Sequence, residues 1–309
     1  MNLSTRTFLG FLAATVAFRL LALEVPVLTP EQQTFMGMSP AERRLNFTNE
    51  AYRAKLAVHN WEKMKWREAG PGETSRWRHL PGVPNMRDLG GLRGLGGKTV
   101  RSGKIFRSGG FNDNAKYRLV DDERNPGKKK RAYYGRGKDR LTEASRRFQA
   151  ENFGIRTDVD LRRDGECNEM TGSPIGPQVK WAQTPSKAYE EFHSEDGMAA
   201  TKRNFAVFLD EANYPIAFHC IAGADRTGSL AYLLEALLGV SDADLVLDWE
   251  LTAFHNPNHK FAHADRYDKL VAGFGKYPGS NACERAEGYV KAMGYTDADI
   301  AKFRAIMLR

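Results

Sequence analysis

The chain has 309 residues and carries 46 Lys+Arg against 38 Asp+Glu, a formal charge of +8. A hydrophobic share of 41% without low-complexity tracts excludes a disordered or fibrous protein. Three cysteines with no C-x-x-C pair exclude a disulfide framework and a zinc site built on such pairs.

Taken in chain order, the first segment reads as a leader. Arg6 precedes an apolar run from Phe8 to Phe18, and Leu20-Leu21-Ala22 supplies a small residue for cleavage. This is the pattern of a secretory signal peptide over residues 1–23, too short for a membrane span, although Arg19 breaks its last part. The chain is therefore expected to be exported, periplasmic or secreted, with no integral span in the mature form. An amphipathic N-terminal helix on a cytoplasmic protein is the alternative.

Ser39-Pro40-Ala41-Glu42 has serine at the N-cap, proline at the first helical position and glutamate at the third, a capping box. It predicts a helix running on to Trp66, broken near Asn46, whose face Leu45, Phe47, Tyr52, Leu56, Val58 and Trp61 packs on another element. Residues 24–77 are expected to form a helical extension without chemistry of its own, and 78–309 the main domain.

Within that domain, Arg124 to Arg140 holds eight basic residues against one acid, most of the net charge. This basic insertion near 112–140 is expected to be a poorly ordered, solvated loop that steers an anionic substrate. Tyr133 and Tyr134 lie among its charges as in single-strand nucleic-acid binders, but no nucleic-acid-binding motif accompanies them, so nucleic acid is not the expected partner. Strands are placed near 99–107, 155–161, 179–184 and 214–220.

The chemistry is concentrated in YPIAFHCIAGADRTG, residues 214–228. A short buried strand ends at a cysteine, and a loop leads into an apolar helix. A thiolate forms at neutral pH only where positive potential stabilises it. Converging backbone N–H groups at a helix N-terminus supply that potential and also hold phosphate oxygens. Arg226 adds a planar fork for two of those oxygens, Thr227 a hydroxyl for the sulfur, and Gly223 close backbone approach.

His219, Cys220, Gly223, Arg226, Thr227 and Gly228 match H-C-x-x-G-x-x-R-[ST]-G, so the chain resembles the cysteine-dependent tyrosine and dual-specificity phosphatases. Asn85-Met86-Arg87-Asp88-Leu89-Gly90-Gly91, Gly103 to Gly109, Gly154 to Arg162 and Asp248 to Thr252 are similar to elements of a bacterial tyrosine/serine phosphatase subgroup. The resemblance spans 79–309 apart from the insertion. It implies an α/β fold with a small, mostly parallel central sheet flanked by helices on both faces, and the site at the sheet's C-terminal edge.

It also implies hydrolysis of phosphate monoesters, first of all protein phosphotyrosine with possible dual specificity, through a cysteinyl-phosphate on Cys220. Neither cofactor nor metal is expected. His219, Ile221, Ala222, Gly223, Ala224, Thr227, Gly228, Asp88 and Arg87 are expected around the bound phosphate. No W-P-D tripeptide occurs, so Asp225 is the first choice of general acid, Asp88 the second, and Glu190, Glu191, Glu195 and Asp196 are lid candidates. An N-terminal helix cap is the other reading of Asp225. Ala224 stands where lipid-active members have lysine, which counts against phosphoinositides.

Inositol phosphates or phosphoinositides are the alternative substrates. A silent phosphate-binding module and a rhodanese-type sulfurtransferase are the rivals of another class. Cys167 and Cys283 are expected either to pair or to stay separate thiols. His193, His255, His259 and His263 are expected at the surface, Trp249 and Leu251 in the core, and Arg162, Asp160 and Arg87 in one ion network under the loop.

Overall fold

The structure, a computed structural model, describes residues 24–56, 66–68, 76, 80–255 and 264–309. The leader reading over 1–23, and the readings at Val58, Trp61, His259 and His263, lie outside the described residues.

The strands in chain order are β1 (Glu24–Pro26), β2 (Trp66–Glu68), β3 (Arg87–Asp88), β4 (Ile105–Ser108), β5 (Lys116–Asp121), β6 (Lys129–Tyr134), β7 (Thr157–Asp160), β8 (Lys180–Gln183) and β9 (Ile216–His219). Five of them form the central sheet in the order β3-β4-β9-β7-β8. β9 lies between β4 and β7 and runs parallel to both, β8 is parallel to β7, and only β3 is antiparallel. Four expected strands are thus present.

A central parallel strand is covered on both faces, so its residues are apolar on both. Ile216 and Phe218 of β9 enter one hydrophobic cluster with Ile105 and Val159, while Ala217 enters another with Phe106, Phe148, Ile155 and Val179. The larger cluster is roofed by helix Asp225–Leu237, which is buried from Thr227 to Leu237. Trp249 and Leu251 are 5% and 3% exposed, as expected of core residues.

The N-terminal extension is helical, in short pieces. Ser39 caps helix Pro40–Phe47 by the expected reciprocal box, with Ser39 N donating to Glu42 Oε2 at 2.7 Å and Glu42 N to Ser39 Oγ at 3.3 Å. Thr29 and Gln32 do the same for Pro30–Gly37. The chain then breaks at Thr48-Asn49 and resumes as Glu50–Leu56. Trp66 is not helical but begins β2, paired with β1. Leu45, assigned to the packed face, is 73% exposed; Phe35 and Leu56, fully buried against Leu251, Ala253 and Phe254, make the contact instead. Arg43 pairs with the buried Glu250 behind them.

The basic insertion departs most from expectation. It is an ordered antiparallel hairpin, with β5 and β6 in register from Lys116↔Tyr134 to Asp121↔Lys129. Asp122 closes its turn by accepting from Arg124 N and Asn125 Nδ2, at 3.1 and 2.7 Å, and Gly127 takes a φ of +82°. Tyr117 and Tyr133 pair across the strands at 5.8 Å. The hairpin docks through Tyr133 onto Gly165, where an added Cβ would meet the ring at 2.3 Å.

Candidate active site

The parallel strands deliver their C-terminal ends to one edge, where β9 stops at His219 and the loop 220–224 turns into helix Asp225–Leu237. Gly223 holds a φ of +68°, and a Cβ there would meet the Ser108 carbonyl carbon and the Gly109 nitrogen at 2.5 Å. Only glycine fits both constraints.

The loop's carbonyls are drawn backwards, away from its concave side. Cys220 O lies 3.1 Å from His219 Nδ1, and Ile221 O accepts from Gly110 N at 3.0 Å. Ala222 O and Gly223 O accept from Asn85 Nδ2 at 3.3 and 3.0 Å, and Gly223 O also from Arg107 Nη2 at 2.9 Å. Among the described residues, the N–H groups of Ile221, Ala222, Ala224 and Arg226 donate to no oxygen. Peptide units fixed this way aim their N–H ends into the concavity, an arrangement suited to an anion.

Cys220 is 2% exposed. Burial alone would raise its thiol pKa. The Arg226 charge, the Thr227 hydroxyl and the N–H groups of Thr227 and Gly223 outweigh burial and hold it below the ordinary value. Cys167 shows the opposite outcome: burial, and the Asp160 carboxylate 3.3 Å away, push its thiol up. Cys167 and Cys283 are separate free thiols, not a disulfide; Cys283 lies 3.1 Å from Arg304 Nη2.

Arg226 is held on its far side by a residue that the sequence did not single out. Its Nη1 donates to Glu166 Oε2 at 2.7 Å and to Leu161 O at 3.2 Å. Burial depresses the Glu166 carboxylate's charge, but Arg226 and the Arg163 N–H restore it and set its pKa below the usual range. No sequence spacing announces a partner sixty positions away.

His219 is fully buried, with Nε2 2.9 Å from Asp158 Oδ1 and Nδ1 3.9 Å from Asp160 Oδ1. Burial opposes its charge, yet the two carboxylates prevail and raise its pKa. Arg162 pairs with Asp160 at 2.6 Å beside it. This is the ion network expected under the loop, without Arg87.

Arg87 belongs to a second network and does not face the site. It is fully buried, donates to Asp248 Oδ1 at 2.9 Å and orients Asn85 through its Oδ1 at 2.6 Å. Asp248 also takes Arg76 at 2.9 Å and pairs with Arg107. Burial would raise the Asp248 pKa, but three guanidinium groups lower it, whereas neighbouring Glu235 is raised by burial and by Asp248. Asp88 is likewise not at the rim. It is 1% exposed, and both its oxygens accept main-chain amides, Gly90 N at 2.8 Å and Gly103 N at 2.7 Å. Its carboxylate closes the turn between β3 and β4, which removes it as an acid candidate.

Over the loop lies a cavity of about 550 Å³ lined by Asp225, Arg226, Glu166, Ser186, Lys187, Ala188, Tyr189, Glu190 and Glu191, with Arg131, Arg163 and Arg266 around it. Cys220, 2% exposed, is not itself among the lining residues; Asp225 and Arg226 carry its loop to the cavity. Asp225 reaches the wall with a buried, unpartnered Oδ1, and burial pushes its carboxyl up to about 7 against the pull of Arg226 and Arg266. It does not cap the helix: the N-cap is Ala224, with no side-chain bond. Glu190 and Glu191 line the cavity, while Glu195 and Asp196 begin helix Glu195–Phe208 and do not. His193 is not a surface residue but sits half-buried among Phe274, Tyr277 and Tyr289, its Nε2 2.9 Å from Leu270 O. His255 is likewise half-buried, and burial lowers its pKa to about 4. Among the described residues no cluster of His, Cys, Asp or Glu is arranged to hold a metal, and no helix is long and apolar enough to cross a membrane.

Comparison with known proteins gives matches of three kinds. The model of the tyrosine phosphatase family matches residues 78–124 and 113–273. A tyrosine-protein phosphatase of Nostoc commune is 25% identical, the match covering 53% of this chain and 70% of that one. Among solved structures, the core catalytic domain of the PP-IP phosphatase SIW14 from S. cerevisiae, in complex with citrate, matches with a TM-score of 0.29 and 17% identity, over 44% of this chain and 83% of that one.

Proposed function

Since the chain belongs to the tyrosine phosphatase family and is a phosphatase of the cysteine type, we propose that it hydrolyses phosphate monoesters at Cys220, with protein phosphotyrosine as the first substrate class. The observation that carries this reading is the loop itself. Its carbonyls are tied down behind it, its N–H groups are turned inward, and the only sulfur in it has a lowered pKa.

In the first step the Cys220 thiolate attacks phosphorus, the S–P bond forms and the ester P–O bond breaks. The leaving oxygen takes the proton of Asp225, whose carboxyl is half-protonated near pH 7. In the second step water attacks the cysteinyl-phosphate, gives a proton back to Asp225 and releases phosphate, while Thr227 supports the departing thiolate. The loop amides and Arg226 hold the three equatorial oxygens in both steps, so the reaction as written needs no metal. His219 acts from behind, through its charge and its contact with Cys220 O, rather than as a base.

The bowl admits a second substrate reading. Arg131, Arg163, Lys187 and Arg266 around the cavity favour a more highly charged ligand, such as an inositol phosphate, over a phosphotyrosine ring. The test of the main reading is turnover of p-nitrophenyl phosphate and of a phosphotyrosine peptide with EDTA present. We expect both to be hydrolysed and Cys220→Ser to lower kcat by at least ~10⁴-fold, as loss of a covalent nucleophile does. Undiminished turnover by Cys220→Ser would end the reading. Absence of turnover by the wild-type chain would leave a phosphate-binding module.

A further inference from the structure

Three guanidinium groups at the cavity, those of Arg131, Arg163 and Arg266, have no carboxylate within ion-pair distance among the described residues, and two of them, Arg131 and Arg266, are stacked on aromatic rings. Arg131, on β6 of the hairpin, has its Cζ 4.6 Å above the Tyr117 ring, with the Tyr133 hydroxyl alongside. Arg266, on helix Ala264–Phe274, has its Cζ 5.0 Å above the Tyr189 ring. Among the described residues neither has an acid within ion-pair distance, although the Arg266 charge is felt by Asp225; the three glutamates on the same wall are engaged, Glu166 by Arg226 at 2.7 Å, Glu191 by Lys187 at 3.7 Å and Glu190 by Lys269 at 3.9 Å. Stacking on an aromatic face fixes a guanidinium's plane while leaving its N–H edge available.

The hairpin that carries Arg131 is anchored to the loop that carries Glu166. Tyr133 packs on Gly165, Ala115 N donates to Glu166 O at 3.0 Å, and Asn168 Nδ2 reaches Gly135 O at 3.4 Å. Arg131 is therefore fixed to the same piece of chain that positions Arg226. Free electrostatic steering would need no such anchoring.

We infer that Arg131 and Arg266 form a second anion subsite, which selects phosphate monoesters bearing a further phosphate group beyond the one bound by the loop. This rests on the phosphatase reading for the first phosphate, and it assigns to the basic hairpin a direct contact with substrate. A fork-to-phosphate contact is strong and directional, so a substrate supplying both phosphates gains over one supplying a single phosphate.

The test uses full-length Cys220→Ser protein, so that binding is read without turnover, by calorimetry at fixed salt. One pair of probes is myo-inositol 1-phosphate and myo-inositol hexakisphosphate. The other is a phosphotyrosine peptide with and without a neighbouring phosphoserine. In at least one pair the more phosphorylated probe should bind about tenfold tighter or more, and the pair that shows it identifies the source of the second phosphate. Arg131→Gln and Arg266→Gln should each remove about fivefold or more of that preference. Lys130→Gln, the same loss of charge on the opposite face of β6, should remove less than about twofold. Equal affinities within both pairs, or an equal loss in Lys130→Gln, would overturn the subsite. Hydrolysis of p-nitrophenyl phosphate by the wild-type chain separately decides the phosphatase reading, so the two failures are distinguishable.

Discussion

At the scale of single residues, the site sets two titrations against one another. Cys220 must be deprotonated and is held low by Arg226 and the loop, while Asp225 must be protonated and is pushed up to about 7 by burial. With a poor leaving group such as an alkyl phosphate, kcat/KM should therefore fall as pH rises through about 7. Asp225→Asn should be slower below that pH and lose this alkaline limb. The same shift has a stability consequence. A carboxyl whose folded pKa is raised binds more protons folded than unfolded, so stability falls as pH rises from the unfolded value near 4 to about 7. Asp225→Asn should thus melt several degrees higher than wild type at pH 8 and about equal to it at pH 4, read by thermal unfolding. An unchanged melting temperature at pH 8 would mean that the carboxylate is well solvated.

At the scale of elements, the loop is shaped from below by the Asp248 network. Asp248 pairs with Arg76, Arg87 and Arg107, Arg76 also pairing with Glu235; Arg87 sets Asn85, and Asn85 and Arg107 hold the loop carbonyls. Removing the one carboxylate leaves buried like charges facing each other. Asp248→Asn should cost about 3–5 kcal/mol in urea unfolding and also lower kcat. A variant of wild-type stability would show that water enters the network.

This scale also shows what the sequence could tell. The strand–loop–helix around Cys220 was legible because each constraint is local: apolar residues before the cysteine, Gly223 at a positive φ, and a continuous apolar helix after Gly228. The sequence places Asp88 at the phosphate because its motif precedes a Gly-Gly turn that could bring it to the pocket rim, and Arg87 belongs to the same motif. Their side chains instead serve a turn and a buried ion network, and only three-dimensional packing reveals that. Charge density made 124–140 look disordered, but Asn125-Pro126-Gly127 is a turn signal and Tyr117 and Tyr133 are strand formers. Local turn and strand chemistry outweighed the repulsion. Glu166, Arg131 and Arg266 gave no signal, since each meets its site from a distant part of the chain.

At the scale of the whole molecule, the sheet's C-terminal edge gathers contributions from across the chain: the β9 loop, the 164–167 turn, the hairpin and helix Ala264–Phe274. The N-terminal helices lie against the segment that follows Asp248, where the rings of Phe35 and Phe254 meet at 5.4 Å in a tilted arrangement and Arg43 pairs with Glu250. This contact makes the extension part of the folded unit. Phe35→Ala should destabilise the chain by about 3–5 kcal/mol, with one cooperative denaturant transition. A second, separate transition would mean that the extension folds on its own.

The central claim is that phosphorus passes through the sulfur of Cys220. Rapid acid quench of the wild-type chain during turnover of a ³²P-labelled substrate, followed by peptide mapping, tests it most directly. The account predicts label on the single peptide holding Cys220, none in Cys220→Ser, and a larger steady-state fraction in Asp225→Asn with an aryl phosphate, where the second step lacks its base. Phosphate on any other residue, or turnover with the peptide unlabelled at every quench time, would contradict it.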